Sequence, residues 1–447
     1  MRPIVLFLIA FLIVATADEG AGKPMDVINS AIIMGQIKNN ASVVYDRVTV
    51  IGDLDISTLD VPVRPVARSE IDIKVLSLSK NQSKVISPIK ITNSVIKGNI
   101  NFNDTFFQEP VDFEDTDFSG TVYLDGSQFD RGANFKFADF PLMTVFNGAQ
   151  FSNYANFLGT HFGSSSFFGV RFEEGTDFSF SRFDDSASFA YSQFNNSSYF
   201  SHAAFKEPAD FSNAKFRSQA VFDNAKFGDD ADFTDAQFKT LSADFIGAKF
   251  RREVDFRGAT FEGVKNIQGE LNLTDVDFSG KFNVRWDTIK NILICNGPVY
   301  IALIKSFKDL EQFDDANSCY YQYREWSQRL KPFGLSKVWD YLAWATCGYG
   351  VSWLNTILFA LMVSVLFTLM YSARTWYTTS TRPDYGELFW LSIIVLTSAP
   401  KEMFPSGMAK FEELAKEHWY LTFIERIIGW ALLVVMINVL IRLTMRY

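Results

Sequence analysis

The chain has 447 residues, 48% of them hydrophobic and 21% charged, with a formal net charge of −9. That balance, with a mean hydropathy of +0.03, excludes a disordered chain and a membrane protein polytopic throughout, and the acidic excess excludes a nucleic-acid binder, which needs a basic face. Three Cys and three His leave little for zinc clusters or a disulfide scaffold, whereas 46 Phe is far above an ordinary complement and demands a local rule.

The first residues read as a secretory signal, 1–17: a basic Met1-Arg2, an apolar run over 4–14, and Ala15-Thr16-Ala17 as a small-x-small cleavage site before Asp18. An uncleaved anchor is the alternative, and either one exports the chain from Asp18 onward. Six N-x-S/T sequons, at Asn40, Asn81, Asn103, Asn195, Asn196 and Asn272, then become glycosylation candidates. Cys295 and Cys319 are available to pair outside the cell, and the sequence leaves that open.

Residues 18–100 are expected to form an N-terminal cap and leading strands, with 48–56 as a strand, turn and strand closing the open end of a repeat array. Then the phenylalanines fall into step. Phe118, Phe129, Phe140, Phe151 and Phe162 are eleven apart, and Phe172 to Phe238 resume that step after one residue is lost. One residue is gained before Phe250 and Phe261. A second ladder interleaves through Phe113, Leu124, Phe135, Phe146, Phe157 and Phe168, then Phe178 to Phe256. A small residue precedes most of them by two positions, as in Ala209-Asp210-Phe211. An eleven-residue helical supercoil is excluded because Asp, Asn, Ser, Gly and Phe are poor helix formers. A stacked solenoid, each unit turning one large and one small side chain inward, fits instead. His161 and His202 fall at polar repeat positions and read as solvated.

This array resembles the pentapeptide-repeat proteins. The resemblance implies a right-handed quadrilateral β-helix over 101–282, four units and about 22 residues per turn, or some eight turns at ~4.8 Å each. Acidic members of that family mimic DNA, a role an exported chain would not meet.

After Phe282 the pattern changes. Residues 283–345 read as a helical linker ending in an interfacial helix over 335–345 that carries Trp339, Tyr341 and Trp344. Residues 346–447 read as a membrane domain with spans at 351–371 and 421–441. Between them, a re-entrant segment over 385–405 holds an apolar run, Leu388 to Leu396, that covers under half a bilayer at about 1.5 Å per residue. Span, half-helix, irregular segment, span is the layout of a two-helix pore; a hairpin anchor with a surface helix is the plainer alternative.

This half is similar to the two-transmembrane, potassium-channel-like domain that comes after pentapeptide repeats in a group of archaeal membrane proteins. The likeness rests on Cys347-Gly348-Tyr349-Gly350, on Glu425 with Gly429-Trp430, on Asn438-Val439-Leu440-Ile441-Arg442, and on the linker stretches Asp309 to Asp314 and Tyr320 to Arg324. It implies an ion channel assembled as a homo-oligomer in membrane lipid, tetrameric in that group, with a pentamer as the other option. Thr346-Cys347-Gly348-Tyr349-Gly350 imitates a potassium filter but precedes the first span, so it cannot serve as one. The filter position is Thr397-Ser398-Ala399-Pro400-Lys401-Glu402, where only the Thr and a trailing Pro405 match. Ala399 and Lys401 replace the glycines and Pro400 the Tyr, so potassium selectivity is not inherited.

The signal peptide places residues 18 to about 345 outside the cell, sends the loop in from the cytoplasmic face and leaves Arg442 and Arg446 outside. The basic residues Arg374, Arg382, Lys401, Lys410 and Lys416 in the connecting loop do not decide between orientations, because the outer flanks are basic as well. Glu425 is a functional candidate as a carboxylate within a span, against an ion pair with Arg426. Asn438 is expected to pack between helices or line the pore. No catalytic set, phosphate loop, metal spacing or cofactor motif is present, so no enzyme is expected.

Overall fold

The computed structural model describes residues 25–68, 70–240, 242–263, 269–379 and 384–444. The signal sequence over 1–17, and Arg382 and Arg446, lie outside the described residues. The chain forms a β-solenoid of about 12 turns, about 22 residues per turn, followed by a C-terminal helical region with two apolar helices. It divides into two compact units, Met1–Arg252 with Gly258–Glu270, and Glu253–Arg257 with Leu271–Tyr447.

In the first unit the turns contribute short strands to four walls, parallel throughout the repeats, with Val63–Pro65 added antiparallel at the edge of one. The inward positions are the two that sequence periodicity assigns, because alternate residues of a strand face the same way. Ala209 and Phe211, and Ala214 and Phe216, are all at most 2% exposed. The small residue makes room in a narrow interior for the ring beside it. In one column Phe135, Phe157, Phe178, Phe200, Phe222 and Phe245 stack face to face, with centroids 4.6 to 5.2 Å apart and planes within 8°. Rings of neighbouring columns meet edge-on, as Phe189 and Phe200 do at 5.4 Å and 88°. Offset stacks and edge contacts are the arrangements the aromatic quadrupole favours.

Two residues after the central ring of alternate units, the backbone turns left-handed: Gly148 (φ 62), Asn213 (φ 56), Asn224 (φ 55) and Asp235 (φ 57) occupy such corners. Gly, Asn and Asp are the residues that tolerate this conformation. Phe137, Phe180, Tyr191 and His202 take it as well, and His202 stacks on Phe180 at 4.8 Å rather than standing free. His161 also has partners: its Nδ1 lies 2.6 Å from Asp139 and its Nε2 3.2 Å from Asp184.

Three expectations need correction. The inward ring of the second ladder is Phe167, fully buried and parallel to Phe189 at 4.8 Å; Phe168 lies outside, tilted on Tyr191. The lost residue therefore falls in the corner between Phe162 and Phe167, where Thr144 pairs with Ser165, one short of the usual offset. Stacking also begins well before residue 101: Asp26–Asn29 pairs with Val48–Ile51, which pairs with Val95–Lys97. Hence 48–56 belongs to a coil, and the open end is covered instead by a helix, α1 (Ser30–Lys38). The Asn29 side chain caps it by accepting from Ala31 N–H, and it buries Ile33, Met34 and Ile37. A short second helix, α2, spans Glu70–Lys74.

The second unit opens with the last strands, where Val254 pairs with Phe282 and Leu271 with Leu293. Helices α3 (Trp286–Ile289), α4 (Gly297–Asp309) and α5 (Phe313–Leu330) come next. Then come α6 (Leu335–Cys347), α7 (Trp353–Thr379), α8 (Tyr385–Thr397), α9 (Met408–Glu417) and α10 (Trp419–Thr444). Cys295 and Cys319 are free thiols, Cys319 fully buried. Burial pushes the Cys295 thiol up to about 12.

Candidate functional site

The apolar run over 351–371 lies in α7 from Trp353 onward and that over 421–441 in α10; these helices are long and apolar enough to cross a membrane over Trp353–Tyr377 and Trp419–Arg442. Ile424, Ile427, Val434 and Ile437 of α10 are all about half exposed, an apolar face of the kind that marks a membrane or protein contact.

Helix α8 packs between these two. Asp384 caps its start, accepting from the N–H groups of Gly386 and Glu387, and it buries Leu388, Leu391, Ile394 and Val395. At ~1.5 Å per residue it is about 20 Å long. It stops where Ser398 turns left-handed (φ 52) and its N–H closes on Ile394 and Val395, with Pro400 preventing further helix. The chain then returns alongside. A short 3-10 turn, Lys401–Met403, leads to buried Phe404, which packs edge-on against Phe411 of α9 at 5.7 Å. The Ser406 hydroxyl donates to Glu387 in the first turn of α8. Helix out and irregular chain back make a hairpin. Helix α9, not anticipated from sequence, comes after it with Phe411 and Leu414 buried.

At its C-terminal end α8 is set against α10 by Gly429. A Cβ there would stand 1.9 Å from the Leu396 carbonyl oxygen, so only glycine admits this approach. The Trp430 indole N–H donates to Ser398 Oγ at 3.1 Å beside it. Leu396 and Thr397 share a cavity of about 190 Å³ with Thr356 and Ile357 near the start of α7 and Met436 of α10. The half-helix therefore reaches most of the way along α7.

Glu425 is fully buried. Its partners are not Arg426 but two hydroxyls: Tyr371 of α7 donates to Oε2 at 2.5 Å and Ser392 of α8 donates to Oε1. Ser392 Oγ also lies 3.1 Å from the Ser364 carbonyl oxygen. One carboxylate thus pins three helices. About two turns before Glu425, buried His418 faces Tyr371 at 5.0 Å and Thr375 Oγ1 at 3.2 Å.

The segment proposed as the filter is otherwise uncovered. Thr397, Ser398, Pro400, Lys401 and Glu402 are exposed and Ala399 is half-buried; Lys401 reaches Glu412 at 3.5 Å with both side chains about half exposed. Of these six only Ser398 is left-handed. Consecutive left-handed residues occur instead at Gly348 (φ 53), Tyr349 (φ 59) and Gly350 (φ 86). There the filter-like motif forms the turn between α6 and α7, and the Tyr349 hydroxyl donates to Gln328. Asn438 is exposed and bonds its own helix at Val434 O. Arg442 lies over the Tyr320 ring at 4.5 Å, joining the end of α10 to α5.

Among the sequons, Asn40, Asn81, Asn103 and Asn196 are exposed while Asn195 and Asn272 are half-buried. The amide nitrogens of Asn195 and Asn196 donate to Glu173 and Glu174, and Asn103 accepts from the Asp125 N–H. Among the described residues no cluster of His, Cys, Asp and Glu has the arrangement of a metal site.

Residues 91–139, 200–242 and 222–265 match the family model for pentapeptide repeats (9 copies). No curated protein and no solved structure matches the chain. The matched segments, the paired Phe ladders and the four-walled coil together identify the repeat region as a pentapeptide-repeat domain.

Proposed function

We propose that the protein is an oligomeric membrane ion channel whose pore is lined by the 397–402 segment at the turn of the hairpin, with an extracellular pentapeptide-repeat domain, and that it is not selective for potassium. The observation that carries this reading is the exposure of Thr397, Ser398, Lys401 and Glu402 at the end of a half-length helix between two apolar helices. Irregular backbone and charged side chains at membrane depth persist only where other protein or water covers them. Symmetry-related copies about an axis supply both, leaving Lys401 and Glu402 to set the field in the lumen. The absence of filter glycines supports a pore without a carbonyl cage. No catalytic residues or cofactor enter this account, and lipid and further copies of the chain are its partners.

The test is native mass spectrometry of the detergent-solubilised chain together with ion flux from proteoliposomes. The reading expects a closed ring of four or five copies, and flux with little preference between potassium and sodium. A monomer without flux would favour a membrane-anchored envelope scaffold.

A further inference from the structure

Within the second unit, α3, α4 and α5 enclose an open cleft of about 770 Å³ that plays no part in the pore hairpin. Its volume is that of a small-molecule site. One wall is aromatic and rigid. Gly297, in the first turn of α4, lets the Trp326 ring lie against the backbone: a Cβ there would stand 3.3 Å from Trp326 Cζ3. Tyr300 and Tyr323 back the same ring at 5.8 and 6.2 Å. Trp326 is nonetheless only half-buried and lines the cleft.

Beside Trp326 on the same helix, α5, runs a polar stripe at helical spacing, Asn317, Tyr321, Glu325 and Arg329. Lining groups are held before anything binds. The Tyr321 hydroxyl accepts from Trp344 Nε1 at 2.8 Å, and Gln322 Nε2 donates to the Lys290 carbonyl oxygen at 2.9 Å. The lining holds two cations, Lys290 and Arg329, and two anions, Asp314 and Glu325, so its formal charges balance; the Lys290 ammonium pairs with Asp287 at 2.7 Å.

We propose that this cleft binds a neutral saccharide, either free or as a glycolipid headgroup. An anion or cation would be met by one sign of charge, and an apolar ligand by an apolar wall. Here amide, carboxylate and guanidinium groups offer donors and acceptors together, the complement of vicinal hydroxyls, which are both at once. A flat, backed indole offers a surface for the C–H face of a sugar ring. Val351 also lines the cleft, two residues before α7 begins, so an occupied cleft bears on the entrance to the first apolar helix. The proposal stands on the cleft alone and does not depend on conduction.

Binding is measured on the full-length chain in a detergent without a sugar headgroup, because maltoside detergents would compete. One arm uses saturation-transfer NMR with maltotriose and with triacetylchitotriose. The other uses flotation with phosphatidylcholine vesicles, with and without digalactosyldiacylglycerol. Transfer to sugar ring protons, or recruitment that requires the glycolipid, is expected in at least one arm, weakened about tenfold by Trp326→Ala. Should Trp326→Ala fold poorly, Asn317→Ala, which removes a group from the polar stripe, is expected to weaken binding as well. Silence in both arms, or binding unchanged in both variants, would overturn the proposal. So would tighter binding of tri-galacturonate than of either neutral trisaccharide.

Discussion

The Tyr371 hydroxyl and the Glu425 carboxylate meet at 2.5 Å inside the helical unit, and Ser392 completes the contact from the half-helix. This one buried acid fixes the depth of α8 relative to both long helices. Replacing it with Ala leaves the buried Tyr371 hydroxyl without an acceptor, at a cost of about 1–3 kcal/mol, while Ser392 keeps the Ser364 carbonyl oxygen within reach. Glu425→Ala is therefore expected to lower the thermal unfolding midpoint of the solubilised protein markedly. Glu425→Gln, which keeps an acceptor, should lower it less. Equal midpoints for the two variants would show that the carboxylate does not hold the helices.

Gly429 and Leu396 make the complementary contact at the C-terminal end of α8. In Gly429→Ala the new methyl has no space beside a main-chain carbonyl, and overpacking of this kind costs about 1–3 kcal/mol. Since the Trp430 indole bonds Ser398 next to it, displacement of the hairpin should also shift tryptophan emission. A variant with wild-type stability and emission would contradict this packing.

Phe167 and Phe168 differ only in which way they face. Phe167→Ala opens a cavity between parallel rings at 4.9 and 4.8 Å and is expected to cost about 3–5 kcal/mol. Phe168→Ala gives up a tilted contact with Tyr191, worth about 0.5–1.5 kcal/mol. Urea denaturation followed by far-ultraviolet circular dichroism ranks the two, and the reverse order would restore the register expected from sequence.

Asp125 sits in a ladder whose other rungs are amides. Asn103 accepts from the Asp125 N–H, Asp125 from the Asn147 N–H, and Asn147 from the Phe168 N–H. Burial pushes the Asp125 carboxyl up to about 6. A folded-state value above the unfolded one means that ionisation opposes folding: the penalty is absent below the unfolded value of ~3.9 and complete above about 6. Asp125→Asn keeps the accepting oxygen and is expected to stabilise the coil at pH 7 but not at pH 3. A gain of the same size at both values would exclude ionisation as the cause.

Much of the solenoid was legible because its rule is local: one ring and one small residue per unit, repeated in register. The rule failed where Phe167 and Phe168 are adjacent, since periodicity alone cannot choose which of two equal side chains the shortened corner turns inward. Helix α1 carried a readable signal, Asn29 before Ile33 and Ile37, masked by the strand-like Val48-Thr49-Val50-Ile51 after it. Helix α9 was hidden by its charge, because Lys410, Glu412, Glu413 and Lys416 read as loop and only Phe411 and Leu414 mark a buried face. The two long helices and the half-helix were visible in hydropathy. The partners of Glu425 were not, being 33 and 54 residues away and fixed only by how the three helices pack.

The central claim, that the 397–402 segment lines a water-filled axis, is tested most directly by single-channel recording of the purified protein in planar bilayers under asymmetric KCl. The account predicts discrete openings whose reversal potential moves when Lys401→Ala or Glu402→Ala changes the charge on the loop. An intact oligomer that stays silent at every voltage, or openings that neither substitution alters, would contradict it.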